Sequence, residues 1–230
     1  MKISGQTVKG IIFDVDGTLL DTVEIWVTAS SRYVRSQGLV PEPGLDESLF
    51  SMSMEEAAVY LSAHYVPEKE PHRIVEEVNQ MLVRYYREEA PLRNGAAELL
   101  RWLQQQEMPV AAATATDEPL VEGAFGRLGI RPFFQAVFTC SQVGVGKKKP
   151  RIYQRAAACL GTEPGETLVV EDALFALQTA KAAGFLTAGV AERYSAPEQE
   201  EIRSLADLYG QDPADLLKKL RETEREERRG

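Results

Sequence analysis

The sequence predicts an α/β fold: a Rossmann-like parallel sheet core interrupted by an inserted helical domain. Three observations predict it. Short apolar runs recur along the chain, helical patterns separate them, and one long stretch near the N-terminus shows helical periodicity alone. Strands that alternate with helices of this length imply a parallel sheet covered on both faces.

The first run, Val8–Val15 (VKGIIFDV), reads as a buried strand ending in two aspartates and bounded by Gly17. From Asp21 to Ala90 there is no strand pattern, only helical periodicity broken by Pro41, Pro43, Pro67 and Pro71. Alternation resumes at Pro91. Helical patterns at Asn94–Gln106, Glu118–Leu128, Pro150–Leu160 and Ala173–Ala183 separate apolar runs at Pro109–Thr114, Ala136–Thr139, Thr167–Val170 and Leu186–Val190. Gly129, Gly161 and Gly184 close three of these helices, where a left-handed C-cap is expected. The expected domains are residues 1–20 with 91–230 for the core and 21–90 for the insertion. The tail, Asp215–Gly230, is dense in Lys, Arg and Glu and is expected to be a solvated helix that frays at its end.

A chain of 230 residues, 44% of them hydrophobic, can bury a core without disulfides or metal staples. Its two cysteines, Cys140 and Cys159, lack CxxC partners; they read as packing residues and fit a reducing compartment. The N-terminal segment shows no signal-peptide pattern, and no run approaches the ~20 apolar residues of a membrane span, so a soluble, cytoplasmic protein without a membrane partner is expected. A net charge of −9, with scattered Lys and Arg, argues against nucleic acid as a partner. An anionic substrate would need local positive charge to offset that field.

Asp14 and Asp16 lie two apart at the C-terminal end of the first strand, followed by Gly17 and Thr18. Residues two apart on a strand share a face, so both carboxylates would crowd one spot unless the chain bends or a cation intervenes. Parallel sheets place their ligand crevices at this edge. A plain turn is the alternative, since Asp-x-Asp-Gly is turn-prone; a calcium loop is excluded because its glycine falls at the sixth position. Other strand ends add Thr114, Lys147 and the pair Glu171–Asp172. Each could be ordinary capping or loop chemistry. Together they form the set a phosphate site needs: hydroxyl and ammonium donors around an anion, and carboxylates for a magnesium ion.

These residues carry a resemblance. FDVDGTLLDT (Phe13–Thr22) resembles the first signature of the haloacid dehalogenase superfamily, in its phosphatase-like branch; Thr114, Lys147 and Glu171–Asp172 look like the second, third and fourth. The resemblance extends through AAGFLTAGV (Ala182–Val190). It implies a Mg²⁺-dependent phosphatase acting on a small phosphorylated metabolite, such as a sugar phosphate or phosphoglycolate, and working as a monomer. Asp14 would be the nucleophile and Asp16 the general acid and base. Thr114 and Lys147, with Ala115 and Thr22, would bind the phosphate or substrate. Asp14, Asp16 (by its carbonyl) and Asp172 would hold the metal, with Glu171 a direct or water-mediated ligand. The insertion matches the family's helical cap. Trp26, Phe50 and Ser53 would join Thr22 at the cap's entrance, although ordinary cap packing is the preferred reading of Trp26.

The chain also departs from the family pattern. Pro-x-Pro-Asp after the lysine is replaced by Lys148, Lys149, Pro150 and Arg151, which leaves the choice among three lysines to spacing; spacing favours Lys147. Ala173 and Ala176 replace a common serine and glycine. A dehalogenase would not need Asp16. Beta-phosphoglucomutase is the nearer rival, but its usual cap histidine is Trp26 here and its phosphate-gripping arginine is Met54. A catalytically silent relative would not be expected to keep every one of these groups. A serine hydrolase lacks GxSxG, and its only histidines, His64 and His72, fall in the insertion. GVGK (Gly144–Lys147) has the wrong spacing for a P-loop.

Overall fold

The structure, a computed structural model, describes residues 1–49 and 52–227. In chain order its elements begin with the strands β1 (Lys2–Ile3), β2 (Gln6–Thr7) and β3 (Gly10–Phe13). Five helices follow: α1 (Val23–Val27), α2 (Ala29–Ser36), α3 (Leu45–Leu49), α4 (Met54–His64) and α5 (Pro71–Glu88). Next come α6 (Ala96–Gln105), β4 (Val110–Thr114), α7 (Glu118–Arg127), β5 (Ala136–Thr139), α8 (Cys140–Val143), α9 (Arg151–Leu160) and β6 (Thr167–Glu171). The chain closes with α10 (Leu174–Ala182), β7 (Leu186–Val190), α11 (Gln199–Leu205), β8 (Leu208–Gly210) and α12 (Pro213–Glu227). It divides into two compact units, Met1–Asp21 with Ala90–Gly230, and Thr22–Glu89.

The first unit is built on a six-stranded sheet in the order β5-β4-β3-β6-β7-β8, parallel throughout. From β3 the chain steps outward through β4 to β5, then returns to the other side of β3 and continues through β6, β7 and β8. The order therefore reverses beside β3, which is where open α/β sheets bind their ligands. All residues of β3, β4, β6 and β7 are buried, as expected for strands covered on both faces. Ile12, Ala111, Ala113 and Val169 pack with Ile152, Tyr153 and Ala156 of α9 in one core cluster.

Observed and expected elements differ in identifiable ways. The first strand is shorter than the apolar run, which leaves Asp14 and Val15 outside it. A small antiparallel hairpin, β1–β2, precedes it, and β8 adds a sixth strand to the sheet. The C-terminal helix is not simply solvated: Leu216, Leu217 and Leu220 are buried. Cys159 is exposed and so is not a packing residue. Gly129, Gly161 and Gly184 do adopt positive φ.

The second unit, Thr22–Glu89, is all helical among its described residues. The long helix α5 presents Ile74, Val78, Leu82 and Tyr86 as one buried stripe at helical spacing. Ser53 caps α4 in a reciprocal capping box with Glu56. His64 and His72 are exposed. No helix among the described residues is long and apolar enough to cross a membrane.

Candidate active site

The site begins where β3 ends. The Asp14 amide still bonds the Val170 carbonyl of β6 at 2.9 Å, so the aspartate is anchored to the sheet edge. The chain then bends at Val15, whose carbonyl accepts from both Leu19 and Leu20, and Gly17 turns it with a φ of 80°. The bend separates the two aspartates. Asp16 points its carboxylate at β4, accepting from Thr116 Oγ1 at 2.7 Å and, at the 3.5 Å limit, from Thr114 Oγ1. The Thr116 amide in turn donates to Thr114 Oγ1 at 3.0 Å, fixing that fully buried hydroxyl. Ala115, between these threonines, is exposed.

Asp14 faces a buried cluster instead. The Lys147 ammonium donates to Asp14 Oδ1 and, at 2.7 Å, to Glu171 Oε1. Lys147 is buried, while Lys148 and Lys149 are exposed. Glu171 is the last residue of β6 and Asp172 follows it, receiving a long 3.5 Å bond from Thr18 Oγ1. The Tyr153 hydroxyl of α9 also donates to Glu171 Oε1, at 2.7 Å.

Electrostatics in this cluster call for a cation. One carboxylate oxygen each from Asp14, Glu171 and Asp172 lie within 4.8 Å of one another, and all three residues are buried. Burial holds Asp14 well above the usual carboxylate range; Lys147 pulls it down while Glu171, Asp172 and Asp16 push it up. Asp172 is pushed up to about 7, first by burial and then by the Glu171 charge. Burial alone would lower the Lys147 pKa, but Asp14 and Glu171 override it and keep the ammonium protonated. Glu171 Oε2 is buried without a hydrogen-bond partner, a costly arrangement for a carboxylate oxygen. Three hard oxygen donors, one of them an orphan, with only one ammonium among them, fit a divalent metal ion.

The structure brings Asp14, Lys147, Glu171 and Asp172 into one cluster, and Asp16 with Thr114 into an adjoining one. It does not put the Asp16 carboxylate among the clustered metal donors. Thr22 is fully buried at the start of the helical unit. Trp26 donates its indole N–H to Tyr86 OH at 2.8 Å. Ser53 serves as the α4 cap, and Phe50 lies outside the described residues. Thr116, Thr18, Tyr153 and Arg93 were not expected here. The Arg93 guanidinium donates to the carbonyls of Gly17 and, at 2.6 Å, Ala191, and pairs with buried Glu192 at 3.6 Å. It thus ties the Asp16 turn to the loop after β7. Of these four, Thr18 lies inside the motif Phe13–Thr22 and Thr116 two residues past a strand end, whereas Tyr153 and Arg93 carry no such mark.

The fold and site define a protein of the Rossmann-like α/β class, with buried carboxylates gathered at the reversal point of a parallel sheet. The chain belongs to the haloacid dehalogenase-like hydrolase family, whose profile matches residues 8–184. It is 30% identical to hexitol phosphatase A of Escherichia coli (strain K12), over 84% of this chain and 88% of that one. It is 28% identical to validoxylamine A 7'-phosphate phosphatase of Streptomyces hygroscopicus subsp. limoneus, over 82% and 88%. Among solved structures, a putative beta-phosphoglucomutase from Thermotoga maritima superposes with a TM-score of 0.82 at 24% identity, covering 94% of this chain and 99% of that one. That last likeness is one of fold.

Proposed function

We propose that this protein is a Mg²⁺-dependent phosphatase that hydrolyses small organic phosphate monoesters, sugar phosphates among them, through an aspartyl phosphate on Asp14. The observation that carries the reading is the pairing of two differently held aspartates. Asp14 sits buried against Lys147 within a metal-fitting cluster, and Asp16 is drawn aside onto Thr116. That difference supports a nucleophile's role for Asp14 and a proton carrier's role for Asp16. The names of the two sequence relatives supply the substrate class.

In this reading the Asp14 carboxylate attacks phosphorus and the ester P–O bond breaks, while Asp16 gives its proton to the leaving oxygen. Asp16 then takes a proton from the water that hydrolyses the aspartyl phosphate. Acid–base assistance of this kind contributes about 10²–10⁴-fold. Lys147 and Thr114 hold the phosphoryl oxygens, and Ala115 and Thr22 complete the substrate contacts. Asp14, Asp172 and Glu171, with the Asp16 carbonyl, would hold Mg²⁺, which supplies charge neutralisation between an anionic nucleophile and an anionic phosphate. The helical unit, residues 21–90 in the sequence reading, serves as the cap that selects substrate. A monomer in the cytoplasm belongs to the same proposal, and the free Cys140 and Cys159 suit a reducing compartment.

A mutase must also grip a second phosphate. The helical unit holds a cavity of about 240 Å³ lined by Trp26, Asp46, Ser53, Met54, Leu61 and Leu82 among others, and the described residues lining it include no Lys, Arg or His. A second cavity of the same unit, about 710 Å³, is lined by Arg32, Arg35 and Arg84 among others, so the choice between hydrolysis and phosphate migration rests on the relatives' names and on the product assay.

The deciding experiment is phosphate release from a panel of sugar phosphates, phosphoglycolate and nucleotides with Mg²⁺, for the wild type and for Asp14→Asn. Release by the wild type alone is the expected result. Turnover retained in Asp14→Asn removes the nucleophile assignment. Conversion of beta-glucose 1-phosphate to its 6-isomer without phosphate release makes the protein a mutase.

A further inference from the structure

We infer that Tyr153 is a positioning residue that leaves Glu171 a single free oxygen and so tunes the metal site toward a small cation such as Mg²⁺ over Ca²⁺. The inference rests on the reading that Asp14, Glu171 and Asp172 hold the divalent metal. The Tyr153 side chain is completely buried in the core, on the helix α9 that packs against β3, β4 and β5. A buried tyrosine hydroxyl needs a partner, and this one has Glu171 Oε1 at 2.7 Å. The same oxygen accepts the Lys147 ammonium, also at 2.7 Å. Two donors from two elements therefore hold one edge of the carboxylate. The other oxygen, Oε2, is buried and unpartnered.

This arrangement has a consequence for metal choice. Ca²⁺ takes six to eight oxygens and often uses both oxygens of a carboxylate, whereas Mg²⁺ demands about six ligands at short, near-octahedral distances. Glu171 Oε1, with two donors, has no lone pair left for a metal, so this carboxylate can offer one oxygen alone, which suits the smaller ion. Without the Tyr153 hydroxyl, Glu171 is held by Lys147 alone and can swing to offer both oxygens. Groups that orient a metal ligand from behind typically contribute about 10–100-fold in metal affinity.

The test is calorimetric titration of Mg²⁺ and of Ca²⁺ into metal-free wild type, Tyr153→Phe, Glu171→Gln and the double variant, in the absence of substrate. A melting curve in EDTA verifies that each is folded. The expected result is Mg²⁺ affinity about 10-fold or more weaker in Tyr153→Phe, with Ca²⁺ less affected, so that the preference for Mg²⁺ narrows. In the Glu171→Gln background the tyrosine substitution should have little further effect, because it acts through Glu171. Equal Mg²⁺ affinity in wild type and Tyr153→Phe overturns the inference and leaves the phosphatase reading standing, as does a full, additive loss in the double variant. Absence of Mg²⁺ binding in the wild type overturns the metal centre and this inference with it.

Discussion

Two carboxylates with a single residue between them acquire different surroundings because the backbone bends there. Asp14 remains tied to β6 through its amide and is drawn into a buried cluster, while Asp16 is held by hydroxyls from the far end of β4. Thr116 thus orients the proposed acid–base. A hydrogen bond to a charged group contributes about 1.5–3 kcal/mol, so Thr116→Val should lower kcat by about 10- to 100-fold. Asp16→Asn should lose about 10²–10⁴-fold. A Thr116→Val enzyme with wild-type kcat would show that the hydroxyl does not orient Asp16. Asp172 permits a test that needs no substrate. Its pKa is raised to about 7 by burial and the Glu171 charge, so the metal-free folded state binds its proton more tightly than the unfolded state does. That proton stabilises the fold fully below the unfolded carboxylate pKa, and the stabilisation is lost as pH rises through about 7. In EDTA, the melting temperature of the wild type should therefore fall relative to Asp172→Asn between pH 5 and pH 8. Added Mg²⁺ should close the gap from the wild-type side. A gap independent of pH would show that Asp172 does not titrate in that window.

Elements that the sequence marks with repeated apolar residues were legible, and those held by single contacts were not. The runs that became β4, β5, β6 and β7 are rich in Ala, Val, Phe and Leu and are bounded by Gly, Pro or charge, so period and punctuation agreed. The hairpin β1–β2 has two residues per strand and β8 has three, too few for any period to register. For α12 the charge density of its second half masked the stripe Leu216, Leu217 and Leu220. Asp14, Asp16, Lys147, Glu171 and Asp172 stood out as polar groups at the ends of apolar runs. Tyr153 and Arg93 did not, because each joins the site from a distant segment with ordinary helix or loop composition around it. Gly95, just before α6, shows how such distant contacts restrict a residue. It adopts a φ of 77°, and a Cβ there would lie 2.5 Å from Ala214 Cα at the start of α12. Gly129 has a similar φ of 68° with nothing within 4 Å. Alanine at Gly129 meets backbone strain alone, whereas Gly95→Ala adds a clash with backbone, an overpacking cost of about 1–3 kcal/mol. For a chain of this size each kcal/mol shifts the melting temperature by about 2–4 °C. Gly95→Ala should therefore melt several degrees below Gly129→Ala. Equal melting temperatures would mean that α12 moves away from Gly95 at negligible cost.

The protein as a whole carries a charge of −9, yet its proposed substrate is an anion. These facts are compatible because the positive charge proposed to meet the phosphate is local: Lys147 together with the divalent ion that Asp14, Glu171 and Asp172 would hold. Lys147 lies within hydrogen-bond reach of Asp14 and Glu171, and its ammonium is held charged by them. Contacts at that range are screened far less by salt than the long-range field of exposed carboxylates. The two effects should separate in kinetics. Long-range repulsion acts on the encounter, hence on kcat/KM below saturation, while the buried groups act on the bound phosphoryl group, hence on kcat. Raising ionic strength from about 0.01 M to 0.15 M shortens the screening length from about 30 Å to 8 Å. With Mg²⁺ kept saturating, kcat/KM for a small phosphate monoester should rise a few-fold over that range while kcat stays constant. Electrostatic steering by a positive site mouth would give the opposite slope, because screening would then remove an attraction. A fall in kcat/KM with salt would therefore show that exposed cations dominate the potential along the substrate's approach, despite the acidic whole.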